Sequence, residues 1–100
     1  MQAQLDIDDM RANARQAVDL LKAVSNENRL LILCHLGEKE MSVGELNQCV
    51  DLSQSSLSQH LAKLRQEGLV KTRRESQTIY YSIANPTAIL LIQFLQQQFC

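Results

Sequence analysis

A chain of 100 residues, 45% hydrophobic and 21% charged, is enough for one domain around one core and is neither disordered nor fibrous in composition. Its longest uncharged apolar runs, Leu30–Cys34 and Ala88–Ile92, are too short to cross a bilayer, and Asp6, Asp8 and Asp9 argue against a signal peptide, so a cytoplasmic protein is expected. The net charge of -1 is uneven: residues 1–52 hold five basic and nine acidic side chains, whereas residues 53–100 hold five basic and two acidic ones.

A first helix is expected from about Asp8 to Val24, because Met10, Ala14, Ala17, Val18 and Leu21 recur on one helical face. Ser25 or Asn26 then caps a second helix in which Leu30 to Cys34 are apolar nearly all round. A helix without a polar side is a buried one, so this is the expected centre of the core. Gly37 ends it. Ser42-Val43-Gly44-Glu45 matches a capping box and opens a short third helix that ends near Val50. After a turn at Asp51-Leu52, Ser53 caps a fourth helix reaching Glu67, with Gly68 as its stop. Two short helices joined by a tight turn form a helix-turn-helix pattern.

Residues 69–74 and 78–83 read as two strands, the second rich in β-branched and aromatic side chains, joined by the polar tip Glu75-Ser76-Gln77. Asn85-Pro86 starts a last helix, with Asn as cap and Pro in the first helical position. Ala88, Leu91, Ile92, Leu95 and Phe99 make its apolar stripe, and Leu90 and Phe94 widen it beyond the needs of one small core. The expected fold is therefore mainly α with a β-hairpin wing: a winged helix-turn-helix in a single domain spanning residues 1–100.

All the positive charge of the second half, Lys63, Arg65, Lys71, Arg73 and Arg74, falls between positions 63 and 74. This pattern fits a nucleic-acid face, and by itself it also fits an ordinary solvated surface. On the fourth helix, Leu57, His60, Leu61 and Leu64 share one arc. His60 therefore reads as an inner, hydrogen-bonded residue. The opposite arc carries Ser55, Ser58, Gln59, Ala62, Lys63 and Gln66, with Gln54 at the helix start. Serine and glutamine can exchange hydrogen bonds with base edges, and alanine can meet a thymine methyl. Lys63, Arg73, Arg74 and Gln77 would then serve the backbone or the neighbouring groove. Taken alone, Ser53 to Ser56 could equally be a capped, solvated helix start. The register of capped helix, tight turn, polar helix and basic hairpin favours double-stranded DNA as the partner.

The segments Asn28-Arg29-Leu30-Leu31-Ile32-Leu33, Ser42-Val43-Gly44-Glu45-Leu46 and Leu52-Ser53-Gln54-Ser55-Ser56-Leu57-Ser58-Gln59-His60-Leu61 resemble the ArsR/SmtB family of bacterial repressors. Glu67-Gly68-Leu69-Val70 and residues 77–81 extend the resemblance over essentially the whole chain. It implies a homodimer paired through the first and last helices, a near-palindromic operator, and release by a small inducer.

Metal sensing of the family's usual kinds is not expected. Where the arsenic-type site has cysteines on both sides of a valine, this chain has Ser42-Val43-Gly44. Residues 85–100 hold no Asp, Glu or His for the zinc-type site. Cys34 and Cys100 resemble the cysteine pair of the family's sulfide- and persulfide-responsive branch, which implies a dithiol switch with a persulfide or polysulfide donor as inducer. From its neighbours alone, Cys34 reads as a packed residue, and the resemblance reverses that reading. Cys100, beside a terminal carboxylate in this sequence, is expected to form its thiolate less readily. Cys49, near Leu46 and Val50, reads as a small packed hydrophobe. A thiophilic-metal or general-oxidant sensor is the alternative regulator, and a dimeric protein-interaction module is the alternative from another class. No cofactor is expected, and no nucleophile–base set, paired carboxylates or phosphate-cradling loop points to an enzyme.

Overall fold

The first helix, α1 (Ile7–Val24), carries Asp8 and Asp9 in its first turn and Lys22 in its last, complementing the helix dipole at both ends. It opens a computed structural model that describes residues 7–99. Only Ala23 and Val24 of α1 are buried, and the expected apolar face faces outward, with Leu21 51% exposed. Arg29 ties this helix to the next by donating from Nε to the Ala23 carbonyl at 2.6 Å.

Helix α2 (Glu27–Leu36) is capped by Asn26, whose Oδ1 accepts the Arg29 amide at 3.0 Å, and ends at Gly37 with φ 53°. Ile32, Leu33 and Leu36 are fully buried at the core centre. The all-round apolar character does not make every side buried. Leu31 is exposed and Cys34 half-buried, because a short helix in a thin domain keeps one side toward solvent.

Strand β1 (Met41–Ser42) is an element that the sequence pattern did not indicate. It leads directly into α3 (Val43–Cys49), where Ser42 and Glu45 form the expected capping box: the Glu45 amide donates to Ser42 Oγ at 3.1 Å, and the Ser42 amide to Glu45 Oε1 at 2.8 Å. The Asn47 side chain donates to the Leu52 carbonyl at 2.9 Å and fixes the turn into α4 (Gln54–Gln66). Ser53 caps α4 by accepting the Ser56 amide at 3.1 Å. Leu57, Leu61 and Leu64 bury one face of this helix. Gly68, with φ 77°, supplies the left-handed residue that ends it, and the Leu69 amide returns to the Leu64 carbonyl at 2.9 Å.

Strands β2 (Val70–Glu75) and β3 (Thr78–Ile83) pair antiparallel from Val70↔Ile83 to Glu75↔Thr78, and β1 adds to the other edge of β3. The sheet order is β1-β3-β2. The hairpin tip is a two-residue loop, Ser76-Gln77, in which Ser76 holds φ 58°. Short hairpin loops favour Gly where φ is positive, so serine is strained there. Ser76→Gly is expected to raise stability by about 0.5–1 kcal/mol after the unfolded-state entropy of glycine is subtracted. Thermal unfolding followed by circular dichroism checks this, and a lower midpoint would contradict it.

Helix α5 (Pro86–Phe99) starts as expected, with Asn85 Oδ1 accepting the Thr87 and Ala88 amides at 2.9 and 3.2 Å. Ala88 and Ile92 enter the core. Phe99, expected in the buried stripe, is exposed, as are Leu90 (66%) and Phe94 (56%). The described residues thus form five helices and a three-stranded antiparallel sheet in winged helix-turn-helix order. Among the described residues no helix is long and apolar enough to cross a membrane.

Candidate nucleic-acid interface and thiol site

The periodicity of α4 decides which side chains it offers. Leu57, Leu61 and Leu64 anchor one face in the core, so Gln54, Ser55, Ser58, Gln59, Ala62 and Lys63 all stand exposed on the remaining surface. Lys63 lies 3.5 Å from Glu67, one helical turn onward. Ser53 spends its hydroxyl on the cap, leaving the amide and hydroxyl groups of Gln54, Ser58 and Gln59 without protein hydrogen bonds among the described residues. His60 is half-buried and makes no side-chain hydrogen bond there, so the inner, bonded role expected for it is not what the fold provides. Its position at the edge of the apolar arc leaves part of the ring in solvent.

The wing carries its charge unequally. Arg73 donates from Nε and Nη2 to the Glu40 carboxylate at 2.9–3.2 Å and from Nη1 to Glu75 Oε1 at 2.8 Å. Its guanidinium carbon lies 4.7 Å from the centre of the Tyr80 ring. The hydrogen bond from Arg73 holds the Glu40 carboxyl below its ordinary value, outweighing a smaller opposing effect of desolvation. Hydrogen bonds to Glu40 and then Glu75 push the Arg73 value upward. A lowered carboxyl value means the clamp is formed at neutral pH and is lost only as pH falls through that value. Arg74 and Gln77 are exposed, and Arg74 makes no ion pair among the described residues. Sequence inspection missed Glu40, because 33 positions separate it from Arg73 and only the sheet order brings them together.

Away from the wing, Cys34 is half-buried where α2 meets α5, and it packs against the core. It lines a cleft of about 400 Å³ with Lys39, Ile89, Ile92, Gln93 and Gln96. Gln96 donates to the Cys34 carbonyl at 3.3 Å, and Gln93 to Glu38 at 2.8 Å, so α5 is stitched to the end of α2 and the residues just after it. Cys100, the other expected member of the pair, lies outside the described residues. Cys49 is exposed at the end of α3, contrary to the expectation of packing. Within this seven-residue helix Leu46 is the fully buried side chain and Val43 packs beside it, which leaves Cys49 at the last position turned to solvent. Among the described residues no three His, Cys, Asp or Glu side chains gather as metal ligands.

Residues 26–72 match the family described as bacterial regulatory protein, arsR family. Over 98 residues the chain is 48% identical to the transcriptional activator HlyU of Vibrio cholerae, covering 98% of this chain and 91% of that protein. The solved structure of reduced HlyU from the same organism matches with a TM-score of 0.89 at 49% identity, covering 94% of this chain and 99% of the other. The biofilm growth-associated repressor of Xylella fastidiosa is 41% identical over 93 residues, which is 93% of this chain and 82% of the relative. A capped helix-turn-helix with a polar outer face, a wing and this degree of likeness lead to one assignment. The chain belongs to the arsR family of bacterial regulatory proteins, and it is a DNA-binding transcriptional regulator, not an enzyme.

Proposed function

We propose that the chain acts in the cytoplasm as a homodimeric repressor that holds a near-palindromic operator when reduced and releases it when persulfide-derived sulfur bridges Cys34 and Cys100. The observation that carries the reading is the position of Cys34. It lies where the core helix α2 is stitched to α5, a helix whose outer face, with Leu90 and Phe94, stands exposed among the described residues. Covalent change at that contact would act on the dimer-forming helix. A dimeric reader needs its two recognition helices about one DNA turn apart, so a small change in pairing is enough to lose a half-site.

In this reading α1 and α5 form the dimer contact, α4 enters the major groove with Gln54, Ser55, Ser58, Gln59 and Lys63, and Arg74 and Gln77 meet the adjacent backbone or minor groove. One solved relative is described as reduced, a word that suits a protein with a redox-active group. Relatives named as an activator and as a repressor are both compatible with control at the level of operator occupancy.

The sulfur chemistry needs no oxidant beyond the donor. A thiolate of the pair attacks the outer sulfur of a persulfide, keeps it and releases the donor thiol. The new persulfide attacks a second donor with loss of sulfide, and the second cysteine then displaces the remaining donor thiol. The product is a trisulfide bridge. It spans a longer gap than a disulfide, whose Cα–Cα distance is held to about 4.4–6.8 Å. Titrating an operator duplex with reduced, peroxide-treated and persulfide-treated protein tests the reading, with mass spectrometry of each sample. Release without a bridged mass would overturn it.

Base reading has its own test. Gln59→Ala is expected to relax discrimination at one base position by about 1–3 kcal/mol, because a glutamine amide can pair bidentately with adenine. Competition binding against operators altered one base pair at a time measures this. Undiminished discrimination at every position would remove Gln59 from the groove.

A further inference from the structure

Each nitrogen of the Arg73 guanidinium donates to a carboxylate. Nε and Nη2 point at Glu40, Nη1 points at Glu75, and the flat face lies near Tyr80. A phosphate is gripped best by two adjacent N–H groups of one edge, the same geometry that Glu40 already satisfies. All three ionic side chains are exposed, and exposed ion pairs add little to stability. The larger consequence of the cluster is its charge. One cation stands between two carboxylates on a strand that the sequence alone would assign to DNA.

We propose that Glu40, with Glu75, withholds Arg73 from DNA phosphate, so that Glu40 limits the sequence-independent attraction of the wing for DNA. Glu40 is a positioning residue here. It touches no DNA and acts through the guanidinium that it holds. The inference rests on the reading of the wing as a DNA-facing element, and it reassigns Arg73 from a free backbone contact to a masked one. Lys71 and Arg74, exposed and without an ion pair among the described residues, are left as the ready cations of the hairpin.

The test uses the full-length reduced protein and a random-sequence duplex, with binding measured from about 0.05 to 0.3 M salt. Glu40→Gln removes the carboxylate charge and keeps the size of the side chain. Each additional phosphate contact adds about 0.9 to the salt slope and tightens binding roughly three- to tenfold near 0.1 M salt, and a two-fold dimer offers one such contact from each of its two wings. The same substitution in an Arg73→Gln background is expected to give less than half of that gain on a logarithmic scale, with an unchanged slope. Far-UV circular dichroism of each variant confirms that the fold is kept. An equal gain in both backgrounds would overturn the proposal, because it would mark general relief of repulsion and not release of Arg73. Unaltered affinity and slope for Glu40→Gln, with normal wild-type binding, would overturn it alone. A wild-type protein that binds no duplex would overturn the operator reading and this one with it.

Discussion

Cys34→Ser should bind the operator as tightly as the unaltered reduced protein and should show no release when treated with a persulfide donor. Both halves of the expectation follow from where the side chain lies. Cys34 is at the contact of α2 with α5, not on the exposed face of α4 or on the wing, so serine removes no DNA contact. Serine nearly matches the size of cysteine, and partial burial limits the cost of its hydroxyl. It cannot take up sulfane sulfur, so the bridge cannot begin. Cys100→Ser should behave in the same way.

Cys49 makes the experiment selective. It is the exposed thiol among the described cysteines, so a donor will reach it readily. If modification of any accessible thiol released DNA, Cys49→Ser would blunt the response. The dithiol reading expects Cys49→Ser to respond like the unaltered protein, even though its cysteine had been modified there. Operator binding before and after donor treatment, with intact-mass measurement, reads both outcomes. A Cys34/Cys100 double variant that still leaves the operator on persulfide treatment would end the mechanism.

The parts of the fold written in local chemistry could be read from the sequence. Asn26, Ser42, Ser53 and Asn85 each cap the helix that their side chains announce, since a cap is decided within three or four residues. The outward face of α4 was equally legible, because Leu57, Leu61 and Leu64 alone fix which arc turns inward. What escaped was set by tertiary partners. β1 has only two residues, and it is a strand because Tyr80 and Tyr81 of β3 are available to pair with it. The Glu40–Arg73 clamp depends on that same added strand. Cys49 looked packed from its apolar neighbours, but the short α3 turns Leu46 inward and leaves the thiol in solvent. The pattern of α1 is apolar on one face, and among the described residues much of that face stands in solvent.

That unpaired face gives the last prediction. Met10, Val18 and Leu21 on α1 and Leu90 and Phe94 on α5 are large apolar side chains with much of their surface in water. Burying one such side chain is worth about 1.5–3 kcal/mol, and in a two-fold dimer each residue is counted twice. Phe94→Glu reverses the gain: it removes two aromatic rings from the contact and places two carboxylates against an apolar surface without partners. Because Phe94 lies outside the monomer's core cluster, the helical circular dichroism of the variant should remain. Sedimentation at micromolar concentration should show a monomer for the variant and a dimer for the unaltered protein. Operator affinity should fall by about 10²–10⁴-fold, since the second half-site is no longer delivered at high effective concentration. The weaker, salt-sensitive attraction to any duplex should persist, because it depends on surface cations that the change leaves in place. A dimeric Phe94→Glu protein with undiminished operator affinity would move the dimer contact away from α5.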